Sequence, residues 1–219
     1  MTPIADPLAL FDLPRFMFSR FAGVEFGGDL FSQWPVGLRF EVGLEHVWRA
    51  AEIHEFIHRR SEDCILISQD WLSGDADIWE ERCTPLFSTP GVLPSAPPQF
   101  QTVDVLPFDH TPYRLIWTRL PLHSLNAAQM FQAIANRERG GIPAIRSGVY
   151  TIDDRAVLIM HMYDDRGLDI IAANAATLLP VYERFGGWIL DNQRHKIDLR
   201  FKEFVRTLED PTSEVRETD

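Results

Sequence analysis

Apolar and polar positions alternate in recognisable periods along the chain. In residues 37–43, Leu38, Phe40 and Val42 share one face, and Arg39 and Glu41 share the other. That is the period-two pattern of a half-buried strand. Over residues 44–60 the period becomes helical, with Leu44, Val47, Trp48, Ala51 and Phe56 near one stripe. Residues 64–71 and 113–120 read as further strands. Asn126 then caps a helix running to about Arg139, where Gly140 and Gly141 end it; Met130, Phe131, Ile134 and Ala135 are its apolar stripe. Near the start, Phe16, Phe18 and Phe21 predict a short helix over residues 15–21, broken by Gly27 and Gly28. Near the end, Leu178, Val181, Tyr182 and Phe185 predict one helix, interrupted at Gly186 and Gly187. Asp191 caps another, with Ile197, Phe201, Phe204 and Leu208 as its stripe.

The densest signal lies in residues 148–174, where three strand-like runs are separated by two turns spelled Asp-Asp-Arg. In the middle run Leu158, Met160 and Met162 point one way, toward the helices. Val157, Ile159, His161 and Tyr163 point the other. Gly167 can supply a positive φ in the second turn, and an Asp can bond its own backbone in either. A strand of about eight residues spans roughly 26 Å at 3.3 Å per residue, so the two acidic turns lie at opposite ends of the sheet. They form no carboxylate pair. The least regular part is a long Pro-rich loop at 72–112, within which residues 100–106 predict a short edge strand.

These patterns predict a single α+β domain over residues 1–209, followed by a flexible tail at 210–219. The sheet is mostly antiparallel or mixed, of about six strands, with helices packed mainly on one face. A chain of 219 residues, 45% hydrophobic, suits one sizeable core.

Charge narrows the partners. Twenty-one basic residues against 32 acidic ones give a formal net charge of -11. Nucleic acid and anionic membranes both need basic surface, so neither is an expected partner. A basic protein is. The competing reading is that acidic surface simply keeps the chain soluble. No apolar run approaches a membrane span and no signal peptide is visible. Cys64 and Cys83 make no CxxC pair or disulfide framework, which suits a reducing cytoplasm. No motif calls for a cofactor.

Three segments together carry a resemblance: LRFEVG at 38–43, MYDDRGLD at 162–169, and LPVYERF at 179–185 followed by WILD at 188–191. They resemble the bacterial family of unknown function numbered 3885, over residues 16–201. The resemblance implies a soluble bacterial protein with one α+β domain and brings no activity with it.

Two sets of residues are candidates for chemistry. His54-Glu55-Phe56-Ile57-His58 matches HExxH, in which two histidines one helical turn apart can hold zinc with the Glu as general base. Glu80 and Glu81 are distant enough to supply a third ligand. The alternative is two solvent-facing histidines beside Arg59 and Arg60. The second set is a polar cluster at the end of the meander: His161, Tyr163, Asp164, Asp165, Arg166 and Asp169, with Trp188, Asp191 and Arg194 nearby. It reads either as an ion-paired scaffold or as a patch for a protein partner. Neither a G-x-S-x-G elbow, a P-loop nor a G-x-G-x-x-G is present. The expectation is a non-enzymatic binding protein, in particular an immunity-type inhibitor meeting the basic surface of a toxin. The alternatives are a zinc-dependent hydrolase on His54, Glu55 and His58, and a small-molecule binding domain with the Pro-rich segment as lid.

Overall fold

The computed structural model describes residues 11–43, 45–71, 84–92, 102–105 and 113–209. Their strands are β1 (Gly37–Glu41), β2 (Asp63–Trp71), β3 (Thr102–Val105), β4 (Tyr113–Pro121), β5 (Gly148–Asp153), β6 (Leu158–Met162) and β7 (Gly167–Ala172). All join one sheet in the order β1-β7-β6-β5-β2-β4-β3, and every pair is antiparallel. The seventh strand is the short edge strand β3. The helices are α1 (Leu13–Arg20), α2 (Leu30–Gln33), α3 (Trp48–Ile57), α4 (Ala127–Arg139), α5 (Ala175–Phe185) and α6 (Asp191–Glu209). The architecture is a single α+β domain.

Each face of the sheet has its own core. Leu38, Phe40, Leu158, Met160, Met162 and Ile170 pack with α3, α4, α5 and α6. Ile65, Ile67, Trp117, Tyr150, Ile159 and Ile171 pack with α1, α2 and the segment between them. The four longer helices therefore lie on one face, as the apolar Leu158-Met160-Met162 side requires. Burial on both faces explains why β5, β6 and β7 carry almost unbroken apolar runs. The β1–α3–β2 run does not give adjacent strands, because β7, β6 and β5 stand between β1 and β2.

Local chemistry fixes the helix ends. Asp12, Asp29, Asn126 and Asn174 each accept a hydrogen bond at 3.0 Å from the backbone N–H three residues on. Gly140 closes α4 at φ 68°. Asp191 is the first residue of α6 rather than its cap. Two further details depart from the sequence pattern. The helix after β1 begins only at Trp48, and Trp48 is 51% exposed rather than in the core stripe. A separate short helix, α2, follows Gly28.

The outer edge of β1 is covered. Ile189 bridges Phe40, and the Leu190 N–H donates to the Arg39 carbonyl at 3.0 Å. The WILD segment thus caps an edge that would otherwise present unpaired backbone groups. Among the described residues no helix is long and apolar enough to cross a membrane. Leu44, Trp79, Glu80, Glu81, Cys83, Phe100 and the 210–219 tail lie outside the described residues, as do most of the Pro-rich loop and the Leu208 side chain.

Candidate functional site

Strand register brings part of the meander cluster together. Arg39 faces Asp169 across β1 and β7, Asp169 faces His161, His161 faces Tyr150, and Tyr150 faces Ile67. The row runs from an ion pair into an aromatic core on one face of the sheet. Arg39 grips Asp169 with two hydrogen bonds of 2.7 Å, and the Phe31 N–H adds a third to Asp169 at 3.1 Å. The His161 ring stacks on Tyr150 at 3.9 Å, and Nδ1 lies 2.8 Å from the Val149 carbonyl. A carbonyl only accepts, so this contact assigns the proton to Nδ1. Burial lowers the His161 pKa to about 4.

Most of this set faces inward. His161, Asp164, Asp165 and Asp169 are all buried. Asp164 accepts from the Arg166 and Gly167 N–H groups at 2.8 and 3.2 Å and pairs with the Arg166 guanidinium. Arg139 lies 4.0 Å from Asp165. Arg166 is exposed and Tyr163 is 37% exposed. Gly167 does not take the positive φ its turn suggested. A Cβ there would collide with the Tyr163 ring, so the glycine is needed for space. The first acidic turn sits at the other end of β6. Asp153 accepts from the Arg155 and Ala156 N–H groups at 3.0 and 2.9 Å, while Asp154 pairs with Arg119 at 2.8 Å.

Trp188, Asp191 and Arg194 belong to a different neighbourhood. Arg194 donates to the Gly186 and Ile189 carbonyls at 2.8 and 2.9 Å, pinning that turn to α6, and the Asp191 side chain is exposed. Trp188 stacks on Phe185 at 4.9 Å and meets Trp48 edge to face at 5.3 Å and 88°. The Arg49 guanidinium lies 5.3 Å from the Trp188 ring, and its Nη1 donates to the Glu41 carbonyl at 3.1 Å. His46 adds a ring 6.1 Å from Trp48. The result is an aromatic patch in which Trp48 faces outward over the half-buried Trp188, with exposed carboxylates at Glu41, Glu45 and Asp191. The helical period places Trp48 in the core stripe, and nothing in the sequence marks Arg49. The available signal was position: Trp48 opens α3, where a side chain escapes the core stripe.

At the other end of α3, His54 and His58 are both 2% exposed, not solvent-facing. Their rings are in contact, with centroids 4.4 Å apart. Both line a cleft of about 640 Å³ together with Glu55, Arg59, His123 and Asn126. His58 Nδ1 is 3.7 Å from Asp153 Oδ2, and Ser61 Oγ donates to the same oxygen. Burial first, and then the neighbouring His58, holds His54 well below the ordinary imidazole range. Among the described residues no three His, Cys, Asp or Glu side chains are grouped to hold a metal ion.

The family model described as a domain of unknown function, DUF3885, matches residues 13–193. The chain belongs to that family. Neither the curated proteins nor the solved structures contain a match.

Proposed function

We propose that this family member is a non-enzymatic binding protein. More narrowly, it is an immunity-type inhibitor that neutralises a bacterial toxin through an acidic surface. The observation that carries the reading is the exposed Trp48 ring, set edge to face on the half-buried Trp188 with Arg49 beside them. Tryptophan and arginine are the residue types that most often dominate interface energy. Trp188 is half-buried against the core and holds up Trp48, whose 51% exposure serves no core, and the pair stands beside exposed Glu41, Glu45 and Asp191 in a chain of net charge -11. Those charges favour a basic partner such as a toxin's substrate cleft. The buried meander residues then serve as scaffold, and the contact surface shifts from Asp164–Asp169 to Trp188 and α3.

Co-expression with the products of neighbouring genes, followed by pull-down, tests this. The expected result is a stoichiometric complex that protects cells from a toxic neighbour and is lost in a Trp48→Ala, Trp188→Ala protein. Absence of both a complex and protection would overturn it. Less supports a zinc-dependent hydrolase, which finds His54 and His58 paired but no grouped third ligand among the described residues. The lid of the small-molecule reading falls mostly outside the described residues.

A further inference from the structure

The imidazoles of His54 and His58 present a problem of satisfaction. His54 Nε2, His58 Nδ1 and His58 Nε2 are buried and have no hydrogen-bond partner among the described residues. A buried polar group left unpaired is costly, so native proteins rarely keep one without a use for it. Here three such atoms sit on two touching rings that line the same cleft.

We propose that His54 and His58 form a binding site for a divalent transition-metal ion of the zinc class, open to the cleft. The site lies at the opposite end of α3 from the aromatic patch and does not depend on it. Two observations support it. The Asp153 carboxylate stands behind His58 Nδ1 at 3.7 Å, itself held by Ser61 and by two backbone N–H groups of its turn. A carboxylate is the usual second partner of a ligating histidine, and closing this 3.7 Å gap would hold the proton on Nδ1 and leave the Nε2 lone pair for a metal. The ring spacing is also close to what is needed. Two imidazoles bound tetrahedrally at about 2.1 Å place their centroids about 5 Å apart, so the rings need to open by less than about 1 Å.

Two protein ligands leave the remaining positions to the cleft, whose wall carries Glu55 and His123. A structural zinc site is closed by four protein ligands, whereas this one admits an outside ligand. It therefore belongs with sites that bind exchangeably rather than with metals that hold a fold together.

Titration of the purified full chain with Zn²⁺, followed by calorimetry and by Co²⁺ visible absorption, tests the proposal. One equivalent is expected to bind. His54→Gln and His58→Gln each weaken binding tenfold or more. Asp153→Asn weakens it about tenfold, the effect of losing the group that orients a ligand. His195→Ala, on an exposed histidine, leaves it unchanged. Circular dichroism establishes that each variant folds. If a glutamine variant does not fold, Zn²⁺-induced shifts of the wild-type His54 and His58 ring resonances give the same answer without mutation. Absence of one-equivalent binding, binding equal in folded glutamine variants, or shifts confined to other histidines would overturn the proposal.

Discussion

Arg39 and Asp169 face each other across β1 and β7 and close a two-pronged ion pair, Nε to Oδ1 and Nη2 to Oδ2, both at 2.7 Å. The Asp169 side chain is fully buried. Arg39 lies between Phe31 and Tyr163, 5.1 and 5.6 Å from their ring centres, and also pairs with Asp29. The two ends of the pair do not gain equally. Arg39 is raised above its ordinary range, chiefly by its hydrogen bonds to Asp169, whereas burial raises Asp169 despite Arg39. Asp169 is the deeper group, so desolvation outweighs Arg39 there, and removing one partner of such a pair is the costly change. Arg39→Met is expected to destabilise the protein by about 3–5 kcal/mol, because it leaves an uncompensated buried charge. Arg39→Met with Asp169→Leu should recover most of that loss. Urea unfolding of the two proteins measures the difference.

His161 makes the fold sensitive to acid. Its folded pKa is about 4, against about 6.5 for a free imidazole. The sign follows from proton uptake: between those values the unfolded chain binds a proton that the folded chain refuses. Its contribution is present in full above about pH 6.5 and is lost as pH falls toward 4, by roughly 3 kcal/mol at the lower end. His161→Phe keeps the stack on Tyr150 and removes the titration. Unfolding free energies of wild type and variant, measured from pH 7 to pH 4, should diverge in the acid direction, with the variant flatter.

Gly167 and Tyr163 share one space. Gly167→Ala forces the phenol ring off the turn and away from Arg39. A cost of about 1–2 kcal/mol is expected from the clash and the lost cation–π contact. With Tyr163→Ala already in place, the same glycine substitution should cost almost nothing. A double-mutant cycle by thermal or urea unfolding reads this coupling.

Cys64 is shielded in β2. Burial pushes its thiol up to about 12, and the side chain is inaccessible. In a Cys83→Ser protein a thiol reagent at pH 8 is expected to leave the native chain unlabelled and to react fully in denaturant. Rapid labelling under native conditions would show that β2 opens far more readily than its central place in the sheet implies.

The local periods of this sequence determined most of its elements and much of its layering. Leu158, Met160 and Met162 face the long helices because strand geometry alternates by two. The acidic turns fall at opposite ends of β6 because five strand residues separate them. The caps at Asn126 and Gly140 are local chemistry and stand in the letters themselves. Tertiary structure alone decided which strands are neighbours, and hence that Arg39, 130 residues away in the chain, meets Asp169. It turned an apparent acidic surface at Asp164 and Asp169 into buried scaffold, since a charge's exposure depends on the partner that folding brings to it. It exposed Trp48 and hid His54 and His58, reversing the expected roles along α3. A helical period says which residues share a face, but only the packing of α3 against α4 and the sheet settles which face meets water.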